Sequence, residues 1–228
     1  MNPPAKEGSI TPKNATEYHT PAAADLAADL LRREILTGQH YSGEQLRETH
    51  IAARLNLSRN TVREAYRKLE AEGLVTHIPH RGVYVASYNE ERIRQLYAFR
   101  RVTECGTICS LSVTEAAELA KTLTGLYSEP SNNKIATADR NNEFHSAIVA
   151  ASGSPELTKL TESIFAQLRL CFMAYPDTDA LHSRFERYHR ELIDKLEQGE
   201  TKAAAEFLEH YLKESFKTLQ ESFNSASD

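Results

Sequence analysis

Apolar residues recur every three to four positions in three stretches near the start of the chain, at 22–37, 44–55 and 59–72. This period predicts three amphipathic helices, each with one face turned towards a core. Two shorter apolar runs follow, at 74–78 and 83–86, and the turn residues between them predict a two-stranded hairpin. Three helices followed by a hairpin are typical of a winged helix-turn-helix, which we expect over residues 21–87.

Beyond Ser87 the apolar period stays helical to the end of the chain. Six helices are predicted, at about 89–111, 113–127, 132–151, 155–174, 178–198 and 201–222. Ser112 and Glu115 have the spacing of a capping box, and Gly199 separates the last two helices. The predicted fold class is therefore mainly α, with the winged helix-turn-helix followed by an all-α six-helix bundle over 88–224. The polar, proline-bearing residues 1–20 are expected to form a disordered arm.

Charge is divided unevenly between the two regions, and the whole chain carries a formal net charge of −5. Residues 22–87 hold 9 Lys or Arg against 8 Asp or Glu, whereas residues 88–228 hold 16 against 22. Any contact with nucleic acid must therefore come from a local basic face in the first region.

Signals for export and for membrane insertion are absent from the sequence. No apolar run approaches the roughly 18 residues of a membrane span, and the N-terminus lacks the apolar region of a signal peptide. The three cysteines, Cys105, Cys109 and Cys171, form no CxxC pair, which suits a reducing compartment. We therefore expect a cytoplasmic protein without a membrane partner, in which the cysteines are small buried side chains.

The third predicted helix has one apolar face and one basic face. Its core positions are Val62, Ala65, Tyr66 and Leu69, and its outer face carries Arg59, Asn60, Arg63 and Arg67. The residue before it, Ser58, is the predicted N-cap. The first turn of such a recognition helix reaches base edges in the major groove, where Arg suits guanine and Asn suits adenine.

Further DNA contacts are expected around this helix. Ser58, Thr61 and Arg63 suit phosphates, and Arg47 is a candidate phosphate clamp. Arg81 at the hairpin tip suits the minor groove, where the potential is most negative, and Gly82 allows a close backbone approach. The expected DNA-binding residues are Arg47, Ser58, Arg59, Asn60, Thr61, Arg63, His80, Arg81 and Gly82.

Three segments of this region carry a family resemblance. They read Leu-Ser-Arg-Asn-Thr-Val-Arg-Glu-Ala at 57–65, Leu-Glu-Ala-Glu-Gly-Leu-Val at 69–75 and Arg-Gly-Val-Tyr-Val at 81–85. In this order they resemble the GntR family of bacterial regulators, which implies a winged-helix fold and sequence-specific DNA binding. Members of that family often have an Arg directly after the Glu that opens the second helix, but here Glu48 is followed by Thr49.

The helical region resembles the FCD-type effector domain of one large GntR subgroup, in its shorter six-helix form. The resemblance rests on Asn-Asn-Glu-Phe-His at 141–145, Ala-Ala-Ser-Gly-Ser-Pro at 150–155 and Tyr-His-Arg at 188–190. The family pattern holds a divalent metal on an Asp and three His, beside a carboxylate-bearing effector. His145 and His189 match two of those ligands and Asn141 stands at the Asp position, while Tyr211 falls on the third His and His210 comes one residue earlier.

Two interpretations of this polar cluster stay open on the residues alone. Asn141 and His145 are one helical turn apart and can chelate one ion, and imidazole ligands suit Zn or Ni. An amide lacks the charge of Asp, however, so the cluster could instead hold an effector through hydrogen bonds.

The resemblance also implies an Arg facing the pocket. Arg100 either takes this role or forms a surface ion pair with Glu104, four residues later. The expected effector or metal pocket comprises Arg100, Asn141, His145, His189, His210 and Tyr211, with His145, His189 and Asn141 as metal ligands. Weaker candidates for its wall are Arg169, Tyr175 and Tyr188.

These features together predict a transcription regulator that binds a pseudo-palindromic DNA site as a homodimer and responds to a small carboxylate effector. Release from DNA on effector binding is the commoner behaviour in the family and implies a repressor. One alternative is a metal-dependent enzyme built on His145 and His189, although HExxH, GxSxG and Walker patterns are absent from the sequence. The other is an architectural DNA-binding protein without a sensor.

Overall fold

The computed structural model describes residues 21–128, 134–173 and 178–225. The predicted arm at 1–20, Tyr175 and the last three residues of the chain lie outside these described residues.

The first domain contains three helices and a small antiparallel sheet. The helices are α1 (Pro21–Leu36), α2 (Glu48–Leu55) and α3 (Arg59–Ala71), and the strands are β1 (Gln45–Leu46), β2 (Val75–Ile78) and β3 (Gly82–Val85). The strand order is β1-β3-β2, with Val75 opposite Val85 in the hairpin and Gln45 opposite Tyr84 on the other edge. The sheet therefore has three strands among the described residues, one more than the sequence predicted.

The predicted helix at 44–55 begins later than expected. Residues 45 and 46 are extended and pair with β3, and the Val85 amide donates to the Glu44 carbonyl at 2.8 Å. Arg47 is the N-cap residue of α2, but its side chain makes no capping hydrogen bond. The prediction placed the helix start too early because Leu46 fits the helical period as well as it fits the inner face of a short strand.

The core of this domain forms where α1, α3 and the hairpin meet. Leu31, Ile35, Val62 and Leu69 are each completely buried. The predicted core face of α3 is thus correct, and burial of each large aliphatic side chain contributes about 1.5–3 kcal/mol.

The second domain is entirely helical in the described residues. Its elements are α4 (Glu90–Arg100), a π-helical segment (Arg101–Cys105), α5 (Gly106–Ser110), α6 (Val113–Gly125), α7 (Lys134–Ala150), α8 (Pro155–Met173), α9 (Thr178–Glu197) and α10 (Thr201–Ser225). The first predicted helix, at 89–111, is thus interrupted by a π turn. The capping box of Ser112 and Glu115 is present at the start of α6. The fold class predicted from the sequence is confirmed.

The cysteines do not share one environment. Cys171 is buried, Cys105 is half-buried and Cys109 is exposed, so the expectation of buried side chains is wrong for Cys109 and holds only in part for Cys105. Among the described residues, no helix is both long enough and apolar enough to cross a membrane.

Candidate functional site

The first turn of α3 is held by a cap and projects from the domain. The Thr61 amide donates to Ser58 Oγ at 3.1 Å, and Asn56 makes the turn from α2 in the left-handed region, with φ of 53°. The Arg59 side chain is 60% exposed and Asn60 is also exposed. These two side chains are therefore available to a duplex at the amino end of α3.

Thr61 does not share this exposure. It is 3% exposed, and its hydroxyl lies 2.9 Å from Ser58 Oγ. The expectation that its side chain contacts a phosphate does not agree with this geometry, because the hydroxyl belongs to the cap.

Glu48 of α2 binds two arginines of the α3 basic face. Its Oε1 accepts from Arg63 Nε at 2.9 Å, and its Oε2 accepts from Arg59 Nη2 at 3.4 Å. The hydrogen bond from Arg63, with smaller help from Arg59, outweighs burial and lowers the pKa of the Glu48 carboxyl. Exposed pairs of this kind contribute little to stability because water screens them, so a phosphate or base can displace Glu48 at small cost.

The tip of the wing is a tight turn supported from β1. His80 has φ of 62° and Gly82 has φ of 104°, so two residues lie in the left-handed region. Gln45 Nε2 donates to the Arg81 carbonyl at 2.7 Å, while the Arg81 side chain stays exposed. Gln45 was not predicted, because only the structure shows that residue 45 pairs beside the wing.

The centre of the helical domain contains a buried ion pair. Arg100 Nε donates to Glu104 Oε1 at 2.6 Å, and the two residues are 2% and 0% exposed. They are therefore not a surface pair. The π-helical segment that follows Arg100 carries Glu104 into the core, and π turns are frequent at functional sites.

Four further residues extend from this pair in a chain of contacts. His145 Nδ1 lies 2.8 Å from Glu104 Oε2, and its Nε2 lies 3.2 Å from the Tyr211 hydroxyl. The same hydroxyl lies 3.4 Å from His189 Nε2, and His189 Nδ1 lies 2.5 Å from the Tyr127 hydroxyl. Helices α7, α9 and α10 supply His145, His189 and Tyr211, and Tyr127 lies in the turn after α6. Of these four residues, Tyr127 is the one that the sequence did not predict.

One assignment of protons satisfies all four of these contacts. Tyr127 donates to His189 Nδ1, His189 Nε2–H donates to Tyr211, Tyr211 donates to His145 Nε2, and His145 Nδ1–H donates to Glu104. Both imidazoles are then neutral, with opposite tautomers.

The electrostatics of the cluster agree with this assignment. Burial and the positive charge of Arg100 lower the pKa of His145 to about 4, against the opposing effect of Glu104. Burial raises the pKa of Tyr211 far above its usual value, so its hydroxyl keeps its proton. Burial disfavours the Glu104 anion, but Arg100 and His145 outweigh burial and lower the pKa of its carboxyl.

Asn141 lies beside this cluster. Its Oδ1 is buried without a hydrogen-bond partner. With Tyr127, Thr137, Arg140, Glu186 and His189 it lines a cavity of about 10 Å³, which has room for about one water molecule. His210 is exposed on α10, so the structure does not bring it to the cluster with His145, His189 and Tyr211.

The residues present do not fit the divalent metal that the family resemblance implies. The ligand positions hold two imidazoles, a neutral amide and a phenol, and no group of three or more His, Cys, Asp or Glu suited to a metal occurs in the described residues. The carboxylate that contacts this cluster, Glu104, is already bound to Arg100 and His145.

Helix α8 joins the helical domain to the first domain. Its Leu170 is buried in the core of the first domain, and Gln167 Nε2 donates to the Glu72 carbonyl at the end of α3 at 3.0 Å. Arg169 Nε donates to the Leu36 carbonyl at the end of α1 at 2.9 Å, and its Nη1 pairs with Asp139 of α7. Arg169 is therefore a link between the domains rather than part of the pocket wall. Tyr188 packs against Phe207 and Tyr211.

A winged helix-turn-helix with an exposed basic first turn, attached to a helical domain with a buried polar centre, is the architecture of a DNA-binding regulator. The gntR family of bacterial regulatory proteins matches residues 23–85, and the FCD domain matches residues 95–214. The chain belongs to the GntR family and carries an FCD domain.

Relatives of this chain agree with this assignment. A protein of Paenarthrobacter nicotinovorans named "Probable D-xylose utilization operon transcriptional repressor" is 26% identical, covering 83% of this chain and 85% of the relative. A crystal structure described as a GntR transcriptional regulator from Rhodococcus sp. RHA1 is 30% identical with a TM-score of 0.76, covering 88% of this chain and 99% of that one. A metal-free FCD domain is similar in fold, with a TM-score of 0.51, 22% identity and coverage of 61% of this chain and 99% of that domain. The matched families and relatives are transcriptional regulators and not enzymes.

Proposed function

We propose that this protein is a homodimeric repressor that leaves a pseudo-palindromic operator when a small carboxylate enters the helical domain. The observation that carries the proposal is the position of Arg169. This side chain binds Asp139 of the sensor helix α7 and the carbonyl of Leu36 in the first domain. A ligand that shifts α7 therefore has a direct mechanical route to the DNA-binding domain.

The DNA-binding half of the proposal rests on the amino end of α3. Arg59 is expected to leave Glu48 and bind guanine in the major groove, because a good bidentate contact to a base discriminates by about 1–3 kcal/mol. The exposed pair with Glu48 contributes about 1 kcal/mol at most. Arg81 at the wing tip is expected to enter the adjacent minor groove.

The sensor half rests on the small cavity beside Asn141. Arg140 lines this cavity, pairs with Glu186 of α9 and lies over the Tyr127 ring at 4.7 Å from the ring centroid. A carboxylate ligand can compete with Glu186 for this guanidinium. Since the cavity holds only about one water, a metabolite must part α7 from α9 as it enters, and this movement displaces Asp139.

The change at Asp139 reaches α3 through α8. Gln167 and Arg169 bind the carboxyl ends of α3 and α1, so a rotation of α8 reorients the recognition helix within the dimer. The two half-sites of an operator lie about one helical turn of DNA apart. If the two recognition helices of the dimer reorient, their spacing no longer matches the spacing of the half-sites. The ligand has this effect only if it binds the two arrangements with different affinity.

The proposal is tested on a labelled fragment of the protein's own promoter region. We expect salt-dependent, sequence-specific binding that competitor DNA of random sequence does not displace. Arg59→Ala should abolish specific binding, whereas Arg190→Ala, an equally drastic change at an exposed arginine of α9, should not.

A panel of small carboxylates is then screened by thermal shift, and the stabilising ones are added to the protein–DNA complex. Release of DNA by a stabilising carboxylate supports the sensor function. Equal affinity for random and promoter DNA contradicts the regulator function, and carboxylates that stabilise the protein without changing DNA affinity contradict the coupling.

A further inference from the structure

We propose that the centre of the helical domain works without a metal ion, because the Tyr211 hydroxyl bridges His145 and His189 where an ion would otherwise be shared. The inference concerns this chain's own residues and does not depend on the identity of the operator or the effector.

The geometry is the first argument. The Nε2 atoms of His145 and His189 lie 3.2 and 3.4 Å from one and the same oxygen, the Tyr211 hydroxyl. A zinc ion bound by both nitrogens would sit about 2.0–2.1 Å from each, in the space between them that this hydroxyl faces. The tyrosine and the ion therefore compete for the same pair of nitrogens.

The packing of Tyr211 makes its displacement costly. The residue is 2% exposed, and its ring lies 5.3 Å from the Phe185 ring and 5.6 Å from the His145 ring, measured between centroids. Moving an aromatic side chain out of such surroundings leaves a cavity and loses the burial of the ring, and both destabilise the protein. An ion must therefore overcome this cost before it gains any ligand.

The hydrogen bonds of the cluster are the second argument. His145 Nδ1 donates to Glu104, and the Tyr127 hydroxyl donates to His189 Nδ1, so both imidazoles are fixed by partners on their far side. In this arrangement His189 Nε2 carries a proton and offers no lone pair. Binding an ion would require the other tautomer of His189 and would remove the proton acceptor of Tyr211.

Charge is the third argument. The Arg100 guanidinium is buried next to the cluster, and Glu104 already balances it at 2.6 Å. The family position for an acidic ligand holds the neutral Asn141, so a dication would add two uncompensated positive charges to a buried site. Tyr211 therefore fills the coordination position that a metal needs, and Asn141 lacks the negative charge that a metal needs.

The experiment measures metal content and metal affinity of the full-length protein. Wild-type protein purified with added Zn²⁺ and Ni²⁺ is dialysed and analysed by elemental mass spectrometry, and it is titrated with each ion by calorimetry. Co²⁺ absorption spectra report coordination by histidine independently of DNA binding. We expect no stoichiometric ion, no ligand-field bands, and the same thermal midpoint with and without EDTA.

The double variant Asn141→Asp/Tyr211→His restores the two altered positions. We expect it to bind one ion per chain, with an affinity above that of the wild type by more than about 100-fold. Tyr211→Phe is the matched control, since it removes the bridging hydroxyl without supplying a ligand, and it should bind no ion more tightly than the wild type does.

The wild-type measurement decides the proposal even if the double variant does not fold. A stoichiometric ion in the wild type that is lost in His145→Gln overturns it. Binding that survives His145→Gln lies elsewhere on the protein and leaves the centre free of metal, as proposed. Tight binding of an ion by Tyr211→Phe, which gains no ligand, contradicts the proposal, and so does a folded double variant that binds no ion.

Discussion

Arg169 on α8 donates from Nε to the carbonyl of Leu36, in the last turn of α1, across 2.9 Å. Arg169→Ala removes this bond and the pair with Asp139, and we expect a loss of about 1.5–3 kcal/mol in the free energy of unfolding. A carboxylate that releases wild-type protein from DNA should still raise the thermal midpoint of the variant but should release DNA less. Urea unfolding and fluorescence anisotropy give the two readouts.

Asp139→Asn is a milder substitution that changes the other partner of the Arg169–Asp139 ion pair. It weakens the ion pair between Arg169 and residue 139 of α7 and leaves the hydrogen bond from Arg169 to Leu36 in place. The loss of stability should therefore be smaller than in Arg169→Ala. Unchanged release of DNA in both variants would show that α8 does not transmit the signal.

Ser58 allows stability and DNA binding to be separated. Ser58→Ala removes the cap of α3 and should cost about 1 kcal/mol. Ser58→Asp keeps a capping oxygen and places a negative charge where phosphates approach, so it should be as stable as the wild type but bind DNA more weakly. Urea unfolding and anisotropy distinguish the two variants, and tight binding by Ser58→Asp would place the DNA elsewhere.

Gly73 lies where α3 meets α8. It has φ of +77°, and a Cβ there would lie 2.6 Å from Gln167 Cδ. We expect Gly73→Ala to cost about 2 kcal/mol or more, since left-handed strain of about 1–2 kcal/mol adds to the clash. Gly43→Ala is the control, because Gly43 has φ of +82° and nothing within 4 Å of the added atom.

Part of the stability lost in Gly73→Ala should be regained in Gly73→Ala/Gln167→Ala, because one of the two side chains within 3 Å of the added Cβ is removed, while the Tyr88 hydroxyl at 2.9 Å remains. Equal losses of unfolding free energy for Gly73→Ala and Gly43→Ala, measured by thermal or urea unfolding, would mean that Gln167 of α8 does not clash with a Cβ at residue 73.

His145 makes stability depend on pH in a defined direction. Its pKa is about 4 in the folded protein against 6.5 for the free side chain, so the unfolded chain binds more protons between these values. The contribution of the neutral His145 imidazole to the free energy of unfolding is fully present above pH 6.5 and falls as the pH is lowered towards 4. The whole contribution is about 3 kcal/mol.

Urea unfolding across this pH range measures that slope. His145→Gln should flatten the decline between pH 6.5 and 4, whereas His210→Gln, at an exposed position, should leave it as in the wild type. The lowered pKa of Glu104 adds a loss in the same direction at lower pH. A wild-type profile without a decline above pH 4.5 would contradict the neutral, buried state of His145.

The two histidines should also differ in tautomer. In ¹⁵N-detected NMR spectra at neutral pH, we expect His145 to carry its proton on Nδ1 and His189 to carry its proton on Nε2. Tyr211→Phe should alter the Nε2 shifts of both residues. Identical tautomers in the wild type would contradict the direction of the hydrogen-bond chain.

Periodicity was sufficient for most of the fold. The core face of α3 and the capping box at Ser112 follow from local spacing, so the sequence predicted both. Residues 45 and 46 escaped prediction because two residues are too few to show a period, and their strand exists only through pairing with β3.

The buried centre was predictable only in part. His145, His189 and Tyr211 were candidates from motif positions, but Tyr127, which contacts His189, lies in the turn after α6 and belongs to no motif. His210 was excluded only by the rotation of α10, which turns it to the solvent. Long-range packing decides which side chains meet, and spacing along one helix does not contain this information.

The π-helical turn at 101–105 makes the position of Glu104 sensitive to the insertion or deletion of a single residue. A π turn accommodates one more residue than an α-helical turn, and each residue of an α-helix advances by about 100°. Deleting the exposed Val102 would let the helix close into regular α geometry with the flanking turns kept in register, and would shorten the spacing of Arg100 and Glu104 from four residues to three. In homologous chains, gain or loss of a single codon in this turn could thus remove the buried carboxylate without any substitution at the polar centre.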